Sequence, residues 1–303
     1  MKLLWAILSL PLAAETGSGA PPIGDVTVRI SRGFATPPVL ERSMPWRPSS
    51  AMGLLGRVST VETAFGGAFV ERINGIPGKA EERGGRAWFY YANGMMAQTG
   101  AGAYAARRGD EIWWDYHAWE GVGQVRALIG SYPRPFLGSA AGPARPVLVV
   151  HTPGAEDKAA ALKASLEGRG LPDVRALPIH AGDAPDDSPV LAIGPWEEIA
   201  GFPAVRTAVS HGGRCGLFID GDRSAMRVLD LAGRPRASYP NAGAIAAVAG
   251  GRSRPTPLWL VTGTDLDAAR RAADILISRP ERIRGMAAAV IDGGSIRPAP
   301  AVE

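Results

Sequence analysis

"WFYYANGMMAQTGAGAY", residues 88–104, reads as a strand, a two-residue turn and a short return strand that runs into a loop of glycine and alanine. Asn-Gly between two apolar runs tolerates positive φ at both turn positions, so it predicts a type I′ hairpin centred on Asn93-Gly94. In that register Ala92 pairs with Met95 and Tyr90 with Ala97. Side chains alternate along a strand, so Trp88, Tyr90, Met95, Ala97 and Thr99 share one face, and Phe89, Tyr91, Met96 and Gln98 the other. One face must cover the helix. The other would still show rings and a thioether, more apolar surface than a lone domain usually exposes. Beside it "TGAGAY" offers backbone with little side-chain bulk, which suits close approach by a large flat molecule. Cover from a second domain or a linker is the plainer reading, and the residues alone leave both open.

Upstream, "DVTVRIS" (25–31) alternates as a strand and "FATPPVLERS" allows a second short one. "PSSAMGLLGRVSTVETAF" offers Ser49 or Ser50 as a helix cap, with Met52, Leu55, Val58 and Val61 at helical spacing. "GAFVERINGIPG" is a strand closing on another Asn-Gly turn, and "GDEIWWDYHAWE" (109–120) alternates strongly. Strand, strand, helix and then several strands predict an α+β class, with a β-grasp-like N-terminal domain over 25–125 in which one helix packs on a mainly antiparallel sheet.

"YPRPFLGSAAGPARP", rich in Pro, Gly and Ala, marks a linker, placed at 126–146. Beyond it the grammar becomes strand, turn, helix. "PVLVVHTPGAEDKAAALKASLEGRG", "SPVLAIGPWEEIA" and "LWLVTGTDLDAARRAADIL" each repeat that form, the last with Thr264 as helix cap. "CGLFIDGDRSAMRVLDLAGRP" reads as a hairpin through an Asp-Gly turn. An α/β layered domain with a partly parallel sheet is expected over 147–293, followed by a tail, 294–303.

The chain has 303 residues, 46% hydrophobic and 20% charged, enough to bury a sizeable core. Its net charge of +4 comes from scattered arginines rather than a dense run, which argues against nucleic acid as a partner. The start "MKLLWAILSLPLAAETGSGAPP" has one Lys, a short apolar run and small residues. That run is too short to span a bilayer, which needs about 20 apolar residues, and reads as a secretory signal over 1–20. No later segment is long enough to span, so a secreted or extracytoplasmic protein is expected.

Motifs of catalysis are missing from the sequence. There is no phosphate-binding loop, and "GTDLDAA" lacks the glycine spacing of a dinucleotide site. There is no Gly-x-Ser-x-Gly elbow. His117, His151, His180 and His211 lie apart, and His180 with Asp183, Asp186 and Asp187 sits in a solvated-loop composition. Asp115-x-His117 reads as a polar pair at a strand edge. Cys215 is the single cysteine, which excludes intramolecular disulfides and a cysteine zinc cluster and reads as a half-buried structural thiol. The expectation is a protein that is not an enzyme, with no resident metal or cofactor.

A set of motifs does recur in a known family. Gly67-Ala68-Phe69-Val70, Ile73-Asn74-Gly75, Trp88 to Tyr91, Asn93-Gly94, Gly100 to Tyr104 and Gly109-Asp110-Glu111-Ile112 resemble the small C-terminal domain of transcobalamin and intrinsic factor, and bacterial domains of unknown function grouped with it. The resemblance covers about residues 25–120 and implies the β-grasp-like fold. It implies a corrinoid, as ligand rather than cofactor, facing Trp88, Tyr90, Tyr91, Thr99, Gly100, Ala101 and Tyr104. In those carriers a helical-repeat domain holds the other side of the vitamin, so a helical-repeat partner protein or an uptake transporter is the implied partner. The expected function is an exported, non-enzymatic ligand-binding protein. The alternative is a cell-envelope structural or protein-interaction module whose aromatic strands are interior.

Overall fold

The computed structural model describes residues 24–67, 69–77, 85–118, 124–137, 145–179, 188–250 and 256–301. The leader, His180 and its aspartates lie outside the described residues. In the first half, β1 (Asp25–Ser31) and β2 (Leu40–Pro45) form an antiparallel pair and lead to α1 (Ala51–Gly56). Strands β3 (Val61–Ala64), β4 (Phe69–Ile73) and β5 (Ile76–Pro77) make a small separate sheet. Strands β6 (Arg86–Ala92), β7 (Met95–Met96) and β8 (Glu111–Ala118) complete the main one, ordered β2-β1-β8-β6-β7. Strands β1 and β8 run parallel at its centre and every other neighbouring pair is antiparallel. The class is α+β, as expected.

Helix α1 is shorter than its apolar spacing suggests. Ser50, not Ser49, caps it, its Oγ accepting from Gly53 N at 3.1 Å. The helix closes at Gly56, and Val61 opens β3, so the last two positions of the apparent stripe reach the core from irregular backbone and from a strand.

The Asn93-Gly94 turn takes the predicted form, and the second Asn-Gly turn shares it. Asn93 and Gly94 have φ of 52° and 79°, and Asn74 and Gly75 of 50° and 78°. The strand register is Ala92↔Met95 and Tyr91↔Met96, as read, but Met95 packs against a core of the chain's second half rather than with Trp88 and Tyr90. Trp88, Tyr90, Ile112, Trp114 and Tyr116 pack with Val26, Val28, Ile30 and the α1 residues Ala51, Leu54 and Leu55 in one core.

The second half is built on β9 (Val147–His151), α2 (Glu156–Glu167), β10 (Val174–Pro178), β11 (Val190–Pro195), α3 (Trp196–Ile199) and α4 (Pro203–His211). After β12 (Ile219–Gly221), β13 (Ala225–Leu229) and β14 (Pro235–Pro240) come β15 (Gly243–Gly250), β16 (Thr256–Gly263), α5 (Leu266–Ser278), β17 (Ala288–Asp292) and β18 (Ser295–Ala299). A seven-stranded sheet runs β10-β9-β11-β16-β15-β17-β18, parallel across its first four strands and antiparallel beyond. Helices α2 and α5 share one core with one face of the sheet, and α3, α4 and the β12–β14 sheet share another core with the opposite face.

Three local expectations shift. Asp265, not Thr264, caps α5, because its carboxylate accepts from Ala268 N at 2.7 Å. Asp220-Gly221 lie within β12, and the hairpin turns one step later, where Asp222 Oδ1 accepts from Ser224 N at 2.7 Å. The expected tail supplies β18, paired along β17.

Of the segment expected as a linker, 126–137 and 145–146 are described, and its first residues are packed. Met95 bridges to Ala127, Met96 N donates to Arg126 O at 2.9 Å, and Leu128 N donates to Gly94 O at 2.8 Å. Gly130 N then donates to Met286 O at 2.8 Å, and Ala35 N to Gly285 O at 2.7 Å. The second hairpin face is therefore covered. Phe34, Tyr91, Trp113, Val125 and Leu128 belong to one core with Leu148, Val150, Leu260 and Val290 of the seven-stranded sheet.

Candidate functional site

The Gly/Ala loop is held against the start of α1 by backbone bonds. Ala51 N donates to Tyr104 O and Met52 N to Ala101 O, both at 3.0 Å, and Ala106 N donates to Ser49 O at 2.9 Å. Its other anchor is Asp110, buried, which accepts from Asn93 Nδ2 at 2.8 Å, Tyr104 Oη at 3.1 Å and Arg107 N at 2.8 Å. The Asn-Gly turn, the loop and the Gly-Asp pair are thus one hydrogen-bonded unit, which gives a physical reason for these motifs to occur together.

Between this loop and the end of β2 lies an open groove of about 280 Å³, lined by Trp46, Pro48, Ser49, Ser50, Gly102, Ala103, Ala105 and Ala106. Trp46 is fixed by its Nε1 donating to Ala106 O at 3.0 Å. Arg108 lies over its ring, with the guanidinium carbon 4.7 Å from the ring centroid. Gly102 is exposed, its φ is not in the left-handed region, and an added Cβ there would meet nothing within 4 Å. Neither backbone conformation nor internal packing demands glycine at this position, and the same holds at Gly100.

The seven expected ligand-facing residues do not share one surface. Tyr91 is fully buried on the face opposite Tyr90, with its hydroxyl donating to Val125 O at 2.9 Å. Trp88 and Ala101 are buried in the helix-side core, and Trp88 Nε1 donates to Ile76 O at 3.2 Å. Tyr90 and Tyr104 are half-buried, Tyr90 donating to Thr99 O, and Thr99 and Gly100 are exposed on the loop. Burial pushes the phenols of Tyr90, Tyr91 and Tyr104 up, with Asp115 adding at Tyr91 and Asp110 at Tyr104. None of the seven lines the groove: Gly102, Ala103, Ala105 and Ala106 lie on or beside the expected loop but were not among the residues expected, and the side formed by Trp46, Pro48, Ser49 and Ser50 was not foreseen at all. The signal open to notice was "PWRPSS", an aromatic between prolines immediately before a helix cap.

Asp115 and His117 are not at a strand edge. β8 is central, and His117 Nδ1 lies 2.9 Å from Asp115 Oδ2 while Ser31 Oγ donates to Asp115 Oδ1. Trp113 Nε1 donates to Ser31 Oγ at 2.6 Å, and Phe89 stacks on the His117 ring. Serine, aspartate and histidine meet here, but with the aspartate in the middle. The serine is fully buried and bonds the carboxylate rather than a base, which is not the order that activates a nucleophile. Ser210 and His211 are exposed and both bond to Thr207 O, at 2.9 and 2.6 Å. Cys215 Sγ is half-buried between Ala208 O and Gly212 O, and burial raises its pKa. No group of three or more His, Cys, Asp or Glu able to hold a metal ion occurs among the described residues. No helix among the described residues is long and apolar enough to cross a membrane.

Fold and groove describe a two-layer β-grasp-like unit fused to an α/β unit, with a surface groove on the first. Residues 49–118 match the family profile of a domain of unknown function, DUF4430. No curated protein matches the sequence. Among solved structures, a candidate metal-binding protein from Ruminococcus gnavus aligns at 13% identity and a TM-score of 0.27, over 32% of this chain and 98% of that one. Neither the family nor this structure is described as a cobalamin carrier, so that resemblance rests on the motifs alone.

Proposed function

We propose that this is an exported, non-enzymatic binding protein whose first unit takes a flat ligand, corrinoid-like in size and shape, in the groove beside the Gly/Ala loop. The observation that carries the reading is the groove wall itself. Gly102, Ala103 and Ala105 are exposed and small, and the glycine is not required by the fold. Glycine without a backbone or packing demand leaves room for a partner to approach the chain closely. The groove is small against the roughly 300–1,000 Å³ of a site that engulfs its ligand. It would hold one edge of a large molecule, and a helical-repeat protein or an uptake transporter would hold the rest.

The aromatic strands do not form this surface, and that favours a second reading. Trp88, Tyr91, Trp113 and Trp114 are interior, as expected of a cell-envelope interaction module without a small ligand. Calorimetric or absorbance titration with cobalamin and cobinamide separates the two. Binding tighter than about 1 mM, lost on Gly102→Leu with the melting temperature unchanged, supports the ligand reading. No binding at that level by either compound overturns it in favour of the module.

A further inference from the structure

Two exposed arginines adjoin the groove lining, Arg47 in sequence and Arg108 through its contact with Trp46. Residues 46–57 and 98–110, the two segments joined across the groove, hold four arginines (Arg47, Arg57, Arg107 and Arg108) and one carboxylate, Asp110. They therefore carry a net +3, against +4 for the whole chain. The single carboxylate is buried and already accepts three hydrogen bonds, so it does not face the groove as a free anion. Arg47 stands between the lining residues Trp46 and Pro48 and is exposed. Arg108 is exposed, two residues beyond the lining Ala106, and its guanidinium is held against Trp46. No lining side chain is acidic.

Resting on the binding reading above, we propose that the ligand carries an anionic group, a phosphate or a carboxylate. Its flat body would lie along the Gly/Ala wall, and Arg47 and Arg108 would receive the charge at the groove mouth. Stacking on an indole restricts the Arg108 guanidinium in position, and a planar fork suits either anion.

Matched probes test this. Riboflavin and flavin mononucleotide share one flat ring system and differ by a phosphate, and cobinamide and cobalamin differ likewise by the phosphate-bearing nucleotide loop. All four are titrated into the full chain at 10 mM and 1 M salt, where the screening length falls from about 30 Å to about 3 Å. The expected result is that the phosphate-bearing member of a bound pair is preferred by about fivefold at low salt, the upper range for one exposed ion pair. That preference should vanish at high salt and in the Arg47→Gln/Arg108→Gln double variant, in which the two members of a pair should bind alike. A preference that survives both changes overturns the assignment to these arginines. Equal binding within each bound pair overturns the anionic ligand and leaves the groove reading standing. No binding by any of the four overturns both.

Discussion

Gly130 and Gly285 meet backbone to backbone, with no room for a side chain between them. A Cβ on Gly130 would lie 2.6 Å from Met286 N and 3.0 Å from Gly285 C. This contact seats the segment that follows the β-grasp unit against the loop that precedes β17, and Gly130 N donates to Met286 O there. Gly130→Ala must push the two apart and strain that bond. We expect a loss of about 1–3 kcal/mol, the usual range for overpacking, read by urea denaturation. A loss below about 0.5 kcal/mol, typical of a neutral surface change, would mean that the contact is not close in solution.

Gly102→Ala is the complementary case. With nothing within 4 Å of the new methyl and a backbone any residue can adopt, stability should move by no more than about 0.5 kcal/mol. A melting temperature several degrees lower would show that this glycine serves the fold and would remove the main support for the groove.

Tyr91→Ala should reach beyond its own strand. Its ring lies in the core shared with Leu148, Val150 and Val290, so the cost of about 3–5 kcal/mol for a large aromatic falls on both halves. Unfolding should remain a single transition, followed by tryptophan fluorescence and by amide exchange in β9 and β11. Two separated transitions, with only the first shifted, would show that the halves fold independently.

Asp110→Ala strips partners from Asn93 Nδ2, the Tyr104 hydroxyl and Arg107 N at once. Buried groups left unpaired cost about 1–3 kcal/mol each when water cannot reach them. The expected outcome is a destabilised protein in which the Gly100–Tyr104 amides lose exchange protection before those of β1. Unaltered protection in the loop would contradict its anchoring by this carboxylate.

Alkaline pH gives a signed test. Burial pushes the Tyr132 phenol up to about 12 from its ordinary value of 10.0, against the milder pull of Arg169. Between those values the unfolded chain has released a proton that the native protein still holds. Stability from this group is therefore complete below pH 10 and falls as pH rises towards 12. Tyr132→Phe keeps the ring against Trp259 and Phe136 and removes the ionisation. The variant should lose less stability than the parent between pH 10 and 12, measured by denaturant midpoints. Parallel loss in both proteins would contradict the assignment.

The local chemistry was legible along the chain wherever one or two residues impose a backbone shape. Asn93-Gly94 could be read as a type I′ turn because few other pairs tolerate two positive φ angles in succession, and Asn74-Gly75, read simply as a turn, takes the same angles. The alternation in β1, β6 and β8 then set which side chains share a face, and the order of elements set the β-grasp-like plan. What alternation cannot say is what lies over a face. Tyr91 and Tyr90 look alike in sequence, yet one is sealed by the other half of the chain and the other borders the loop.

Several features were decided only in three dimensions. The run rich in Pro and Gly, 132–146, reads as a linker, but the residues placed with it just upstream are packed. At Gly130 two backbones touch, and Leu128 and Ile129 are buried. The groove is made by residues some 55 positions apart, brought together by the bonds from Ala51, Met52 and Ala106 to the opposite segment. The same pairing brings Arg108 over the ring of Trp46, about 60 positions away in sequence. Local sequence determines φ, ψ and periodicity, because those depend on near neighbours. Burial, cover and field are sums over everything nearby in space, so only the folded chain determines them.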